Sequence, residues 1–247
     1  MRTLKALSAL LTYPTAELCA AVPEIRATIA AEGVLGPAER AALEPLLESL
    51  ATENLFDLQE AYVLLFDRTR ILSLHLFEHV HGESRDRGQA MVDLQKVYLA
   101  AGLEIDASEL PDYLPLFLEY ASLLPADEAR ATLAEPAHVI AALAERAEGR
   151  KTPYAAVLCA VLAVAEAEPD AQAFAALAEV ADVDPDDFEA LDAVWEEEQV
   201  TFGPGAALAD CGVDSLSAKI RQARRPAPGV EPLRGPRTII TRSSVHA

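Results

Sequence analysis

Leu4, Leu7 and Leu11 recur at three- and four-residue steps and predict an opening helix that Pro14 stops. Residues 17–31 form a second candidate, with Pro23 expected near an end. Gly36-Pro37 restarts a helix with proline in the first turn, where its missing N–H costs nothing, and Pro45 predicts a break or kink further on. From Asn54, the positions Leu55, Leu58, Tyr62, Leu65 and Phe66 mark another apolar face. Gly82 divides it from a helix over 84–101 carrying Met91, Leu94, Val97 and Tyr98. Asp106-Ala-Ser-Glu109 has the form of a capping box opening a helix through Leu123. Pro111 suits its first turn, while Pro115 falls deeper, a cost the pattern leaves without a reason.

Beyond Pro125, residues 126–148 read as helix interrupted by Pro136 and closed by Gly149. Thr152-Pro153 then caps "YAAVLCAVLAVAEA", whose near-continuous apolar character predicts the most buried helix. Asp184-Pro185-Asp186-Asp187 repeats the cap, with acids placed favourably against the helix dipole. Only "RTIITR" (237–242) has strand-like composition, and it lies in a stretch rich in Pro, Gly, Arg and Ser that is expected to be flexible. The expectation is one all-α domain over 1–218, a multi-helix bundle of about nine to eleven helices, followed by a basic tail over 219–247.

Charge narrows the partners. The net charge of −20 is unevenly spread, because residues 1–218 hold 13 basic and 39 acidic side chains. Such a body repels nucleic acid and anionic lipid and favours basic partners. Cys19, Cys159 and Cys211 form no CxxC pair and fit a reducing compartment. No uninterrupted apolar run reaches 18 residues, so no membrane insertion is expected, and the short apolar start reads as a core helix.

The chemistry concentrates in "HLFEHVHGESRDRG" (75–88), which holds three of the five histidines. His75, Glu78 and His79 spell H-x-x-E-H, whose two imidazoles could hold zinc on one helix face beside a carboxylate base. A metal-dependent hydrolase is therefore one alternative. A third ligand would have to come from His81 or Glu83 after the helix end or from a distant carboxylate, so a packed polar network is the preferred reading and no metal is expected. No phosphate loop, dinucleotide fingerprint or nucleophile elbow appears, and an enzyme is not expected. "GESRDRG" alternates acids with Arg85 and Arg87, which reads either as a recognition surface or as a solvated helix start with ion pairs.

The run "YVLLFDRTRILSLHLFEHVHGESRDRGQAMVDLQKVYLAAGLEI", the following "ELPDYLPLFLEYASLLP", the opening "LLTYP" and the late "WEEEQVTF" resemble the NarJ-type chaperones of respiratory nitrate reductase. The resemblance covers roughly residues 4–204. It implies a fold of the redox-enzyme maturation chaperone type and a cytoplasmic protein. It also implies binding to the apo catalytic (alpha) subunit, partly through that subunit's N-terminal segment. The chain would promote insertion of molybdo-bis(guanine dinucleotide) without holding it stably, and contact with cofactor-delivery proteins is a further option. The signature places peptide-facing groups among Asp67, Arg68, His75, Glu78, His79, His81, Glu83, Arg85 and Asp86, over an apolar floor of Tyr62, Phe66, Leu76 and Phe77. Trp195, Glu196, Glu197 and Glu198 are secondary candidates. A permanent structural subunit of the reductase is the other alternative.

Overall fold

The periodic leucines of the first stretch form α1 (Arg2–Leu10), which buries Leu4, Leu7 and Leu10 completely. The computed structural model describes residues 1–68, 70–81, 85–105, 109–179 and 237–239. α1 has no side-chain cap of its own; Glu32, at the end of α2 (Ala16–Glu32), accepts from the amides of Arg2 (2.9 Å) and Thr3 (2.6 Å). That carboxylate satisfies two orphan donors and opposes the positive helix end. Thr15 caps α2 by accepting from the Leu18 amide, and Gly33 closes it in the left-handed conformation at φ 67°.

Two prolines depart from expectation. Pro23 lies inside α2, and Pro45 lies inside an uninterrupted α3 (Pro37–Thr52). Each forfeits a backbone hydrogen bond, at a cost of about 3 kcal/mol. The buried faces of Leu18, Val22, Ile25 and Ile29 on α2, and of Leu43, Leu46, Leu47 and Leu50 on α3, offset it.

Asn54 caps α4 (Leu55–Tyr62), which continues into a π-helical turn over Val63–Asp67 closed by the Arg68 amide on the Val63 carbonyl. A short 3-10 turn (Arg70–Leu72) leads to α5 (Leu76–His81), then α6 (Arg85–Ala100) and strand β1 (Leu103–Ile105). The helix expected through Leu123 is α7 (Leu114–Ser122), and the capping-box positions 106–108 lie outside the described residues. Pro115 thereby falls in the first turn, where its missing N–H is harmless, and its carbonyl accepts from the buried Ser8 hydroxyl of α1 at 2.6 Å.

α8 (Ala126–Ala134) and α9 (Ala137–Gly149) are separated at Pro136 as the pattern predicts. α10 (Ala155–Ala165) runs through the centre, with Val157, Leu158, Val161 and Val164 fully buried against α9, α8, α3 and α1. α11 (Ala171–Ala178), capped by Asp170, packs on α9. Eleven α-helices thus make an all-α bundle among the described residues. A two-stranded pairing joins β1 in parallel to β2 (Arg237–Ile239), so the strand-like composition of the tail has a counterpart. The remainder of the tail, the cap at Asp184, Cys211 and the Trp195–Glu198 candidates lie outside the described residues. No described helix is long and apolar enough to cross a membrane.

Leu158→Ala should lower unfolding free energy by roughly 2–5 kcal/mol, as expected for an emptied core position. The exposed Leu99→Ala should shift it by less than ~0.5 kcal/mol. Urea denaturation of both variants checks the placement of α10, and equal effects would contradict it.

Candidate functional site

The histidine-rich segment is held by a main-chain clasp. His75 forms an antiparallel bridge with Tyr113; the Leu76 amide donates to the Asp112 carbonyl (3.1 Å) and the Leu114 amide donates to the Leu74 carbonyl (2.8 Å). At its centre is the fully buried Asp112. One carboxylate oxygen lies 3.2 Å from His75 Nδ1, and the other accepts from the Phe77 amide at 3.0 Å, satisfying a first-turn donor of α5. A buried carboxylate requires such partners.

The three histidines have different electrostatics. Burial works against a charged His75, but the hydrogen bond to Asp112 and the charges of Asp112, Glu78 and Glu109 outweigh it and raise its pKa. Burial, joined by the Arg146 charge, lowers the pKa of His79, whose Nε2 donates to the Ser73 carbonyl at 2.8 Å. His81 is lowered by burial, with Arg87 adding to the effect and Asp86 opposing it. Its ring lies edge-on to Phe77, centroids 5.5 Å apart. Glu78 pairs with Arg87 of α6 at 3.0 Å, both side chains partly exposed. Asp67, its pKa raised by burial, faces the opposing charge of His75.

His75 precedes α5 rather than sharing a helix face with His79, so the H-x-x-E-H spacing does not produce its zinc geometry. Among the described residues, no group of three or more His, Cys, Asp or Glu is arranged to hold a metal ion. Tyr62, Phe66, Leu76 and Phe77, expected as an exposed apolar floor, are at most 5% exposed. They are core: Tyr62 contacts the rings of Tyr13, Phe66 and Tyr154, and its hydroxyl donates to the Leu11 carbonyl at 2.9 Å. Burial pushes the Tyr62 phenol well above its ordinary pKa. What remains accessible is a polar rim that includes Glu78, His81 and the exposed Asp86. Glu83 and the side chain of Arg85 lie outside the described residues.

Sequence reasoning missed Asp112, Ser73 and Arg146. The Arg146 guanidinium donates to the carbonyls of Ile71 and Leu177, tying α9 to the approach of α5 and to the end of α11. The available signals were a lone aspartate between prolines in "LPDYLP" and a lone arginine in an apolar helix.

The site is thus a clasped histidine segment with an acidic rim on an all-α bundle. The family described as "Nitrate reductase delta subunit" matches residues 33–160. The chain is 44% identical over 216 residues to the nitrate reductase molybdenum cofactor assembly chaperone NarJ of Escherichia coli K12, covering 87% of this chain and 89% of that protein. It is 41% identical over 202 residues to the probable chaperone of the same description, NarW, from that organism, covering 82% and 84%. A probable NarJ of Bacillus subtilis is 34% identical over 167 residues, 66% of this chain and 88% of the relative. The chain belongs to this nitrate reductase delta subunit family, among the NarJ-type proteins.

The clasp sets a pH dependence. Because the pKa of His75 is raised in the fold, the stability it contributes is complete below the ordinary value of 6.5 and lost as pH rises through the raised one. His79 has the opposite sign: its lowered pKa gives stability that is lost as pH falls below 6.5. Asp112→Asn should lower the His75 pKa in an NMR titration while leaving His79 below 6.5. Asp112→Ala should cost roughly 3 kcal/mol by denaturant unfolding, since it strips partners from a buried network. An unmoved His75 titration would refute the pairing.

Proposed function

We propose that this chain is an assembly chaperone for respiratory nitrate reductase, holding the apo catalytic subunit while molybdenum cofactor is inserted. The observation that carries the reading is the likeness to the Escherichia coli assembly chaperone along nearly the whole of both chains. The cofactor is cargo for the client, in the form of molybdo-bis(guanine dinucleotide), and is not held stably by this chain. Cofactor-delivery proteins then meet the client–chaperone complex rather than a finished enzyme. The work is done in the cytoplasm, before the client is complete, and involves no catalysis by the chain itself.

Recognition of the client's N-terminal segment fits the electrostatics. A body with 39 acidic and 13 basic side chains over 1–218 attracts a cationic segment and speeds encounter. The polar groups Asp67, Arg68, His75, Glu78, His81 and Asp86 orient it at the rim. Tyr62, Phe66, Leu76 and Phe77 hold that rim rigid from beneath. The clasp through Asp112 makes this efficient, because a surface already ordered pays little additional entropy on binding.

Reductase matured in cells lacking this protein should contain several-fold less molybdenum per catalytic subunit, and restoring the chain should recover it. Metal analysis of the purified reductase reads this directly, and full loading without the chain would overturn the proposal. Recovery of the chain at one copy per mature, active reductase would make it a permanent subunit instead. In titration calorimetry, the client's N-terminal peptide should bind more weakly as salt rises, without binding being abolished, because apolar burial is little screened. Asp86→Ala should weaken binding by roughly five- to tenfold if its carboxylate contacts the peptide.

A further inference from the structure

With the expected floor buried, exposed apolar side chains line one face of α4 and the π-helical turn that follows it. Phe56 is 78% exposed, Val63 40% and Leu64 39%. Phe56, Glu60 and Val63 follow one another at four- and three-residue steps, so they share a helix face, and Leu64 adjoins it. Leu58, Tyr62, Leu65 and Phe66 take the opposite side into the core. The π-helical turn permits this division of four consecutive apolar residues, "VLLF", into two outward and two inward. π-turns are rare and concentrate at functional sites.

The ridge also has a charge. Residues 53–67 contain Glu53, Asp57, Glu60 and Asp67 and no lysine or arginine. Asp57 and Glu60 are exposed in α4, and neither forms an ion pair with a described residue. Asp67, at the end of the π-helical turn, lies within electrostatic reach of His75. Val92 and Leu99, exposed on α6, have Lys96 between them and lack this one-signed surround.

We propose that the α4 ridge of Phe56, Val63 and Leu64, flanked by Asp57, Glu60 and Asp67, is the docking surface for a cationic amphipathic helix of the client. This rests on the chaperone reading and names the surface that takes the segment's apolar face. Three apolar side chains at helical spacing match an i, i+3/i+4, i+7 face on the incoming helix. The carboxylates of Asp57 and Glu60, which form no ion pair with a described residue, favour lysine or arginine along its borders. The hydroxyl anchor of Tyr62 and the burial of Leu58 fix the ridge from behind, so substituting its outward residues leaves the core untouched.

The full-length chain is titrated with a synthetic peptide of the N-terminal segment of the nitrate reductase catalytic subunit, followed by calorimetry and circular dichroism. Phe56→Asp/Leu64→Asp should weaken binding roughly tenfold or more. Glu60→Lys should weaken it and flatten its salt dependence. Leu99→Ser on α6 should leave it unchanged, and all three variants should keep the wild-type unfolding midpoint within about 2 °C. Wild-type affinity in Phe56→Asp/Leu64→Asp, with the peptide still binding the unsubstituted protein, would overturn the ridge while leaving the chaperone reading in place. No peptide binding to the unsubstituted protein would overturn peptide recognition itself. A concentration-dependent dimer that Phe56→Asp dissolves in sedimentation velocity would identify a second copy as the occupant, and overturn the proposal.

Discussion

A buried carboxylate surrounded by structure has to be satisfied, and Asp112 meets that demand by joining its own segment to residues 75–77, more than thirty positions away. Its side chain accepts from the Phe77 amide and meets His75 Nδ1, while its own carbonyl accepts from the Leu76 amide. The adjoining Leu114 amide carries the connection to Leu74 and begins α7. α7 in turn lies along α1, where Ser8 bonds to the Pro115 carbonyl. The placement of the polar rim on α5 and α6 therefore descends through this one acid from the packing of α1 on α7.

The aromatic group behind the rim serves the same end by different physics. Tyr62 meets Tyr13 and Tyr154 edge-on, with Phe66 tilted beside it, and ring contacts of this kind add to the energy of area burial. Its hydroxyl is shared between the Leu11 carbonyl and the Tyr113 hydroxyl, which links α4 to α1 and to the clasp. A chaperone must release its client, so affinity concentrated in a few exposed side chains on a rigid support suits the task. Under the docking proposal, the large aromatics serve as buried support and the ridge and rim make the contact with the client. The excess of carboxylates supplies long-range attraction that salt and competing partners can weaken.

Much of the helix order was readable because proline, glycine and apolar spacing act locally. Pro14, Gly36-Pro37, Pro125 and Pro136 mark boundaries close to those observed, and the apolar run after Tyr154 is the central helix. The family resemblance was legible too, in a long run of unusual composition. The prolines at 23 and 45 misled because their local cost is outweighed by leucine faces packed against distant helices. The helix pattern before Leu114 misled in the other direction, since residues 109–113 enter the clasp before α7 starts.

The site divides along the same line. Composition alone established an acidic body, a histidine-rich segment and helices enough to bury a core, since these depend on what each residue is and on neighbours within a turn or two. Only the tertiary structure decided that His75 faces Asp112, 37 positions away, that His79 is spent on the Ser73 carbonyl, and that Tyr62, Phe66, Leu76 and Phe77 point inward while Phe56, Val63 and Leu64 do not. Amphipathic spacing says that a helix has two faces. Which face meets water depends on what the rest of the chain packs against it, and a helical period carries no record of that partner.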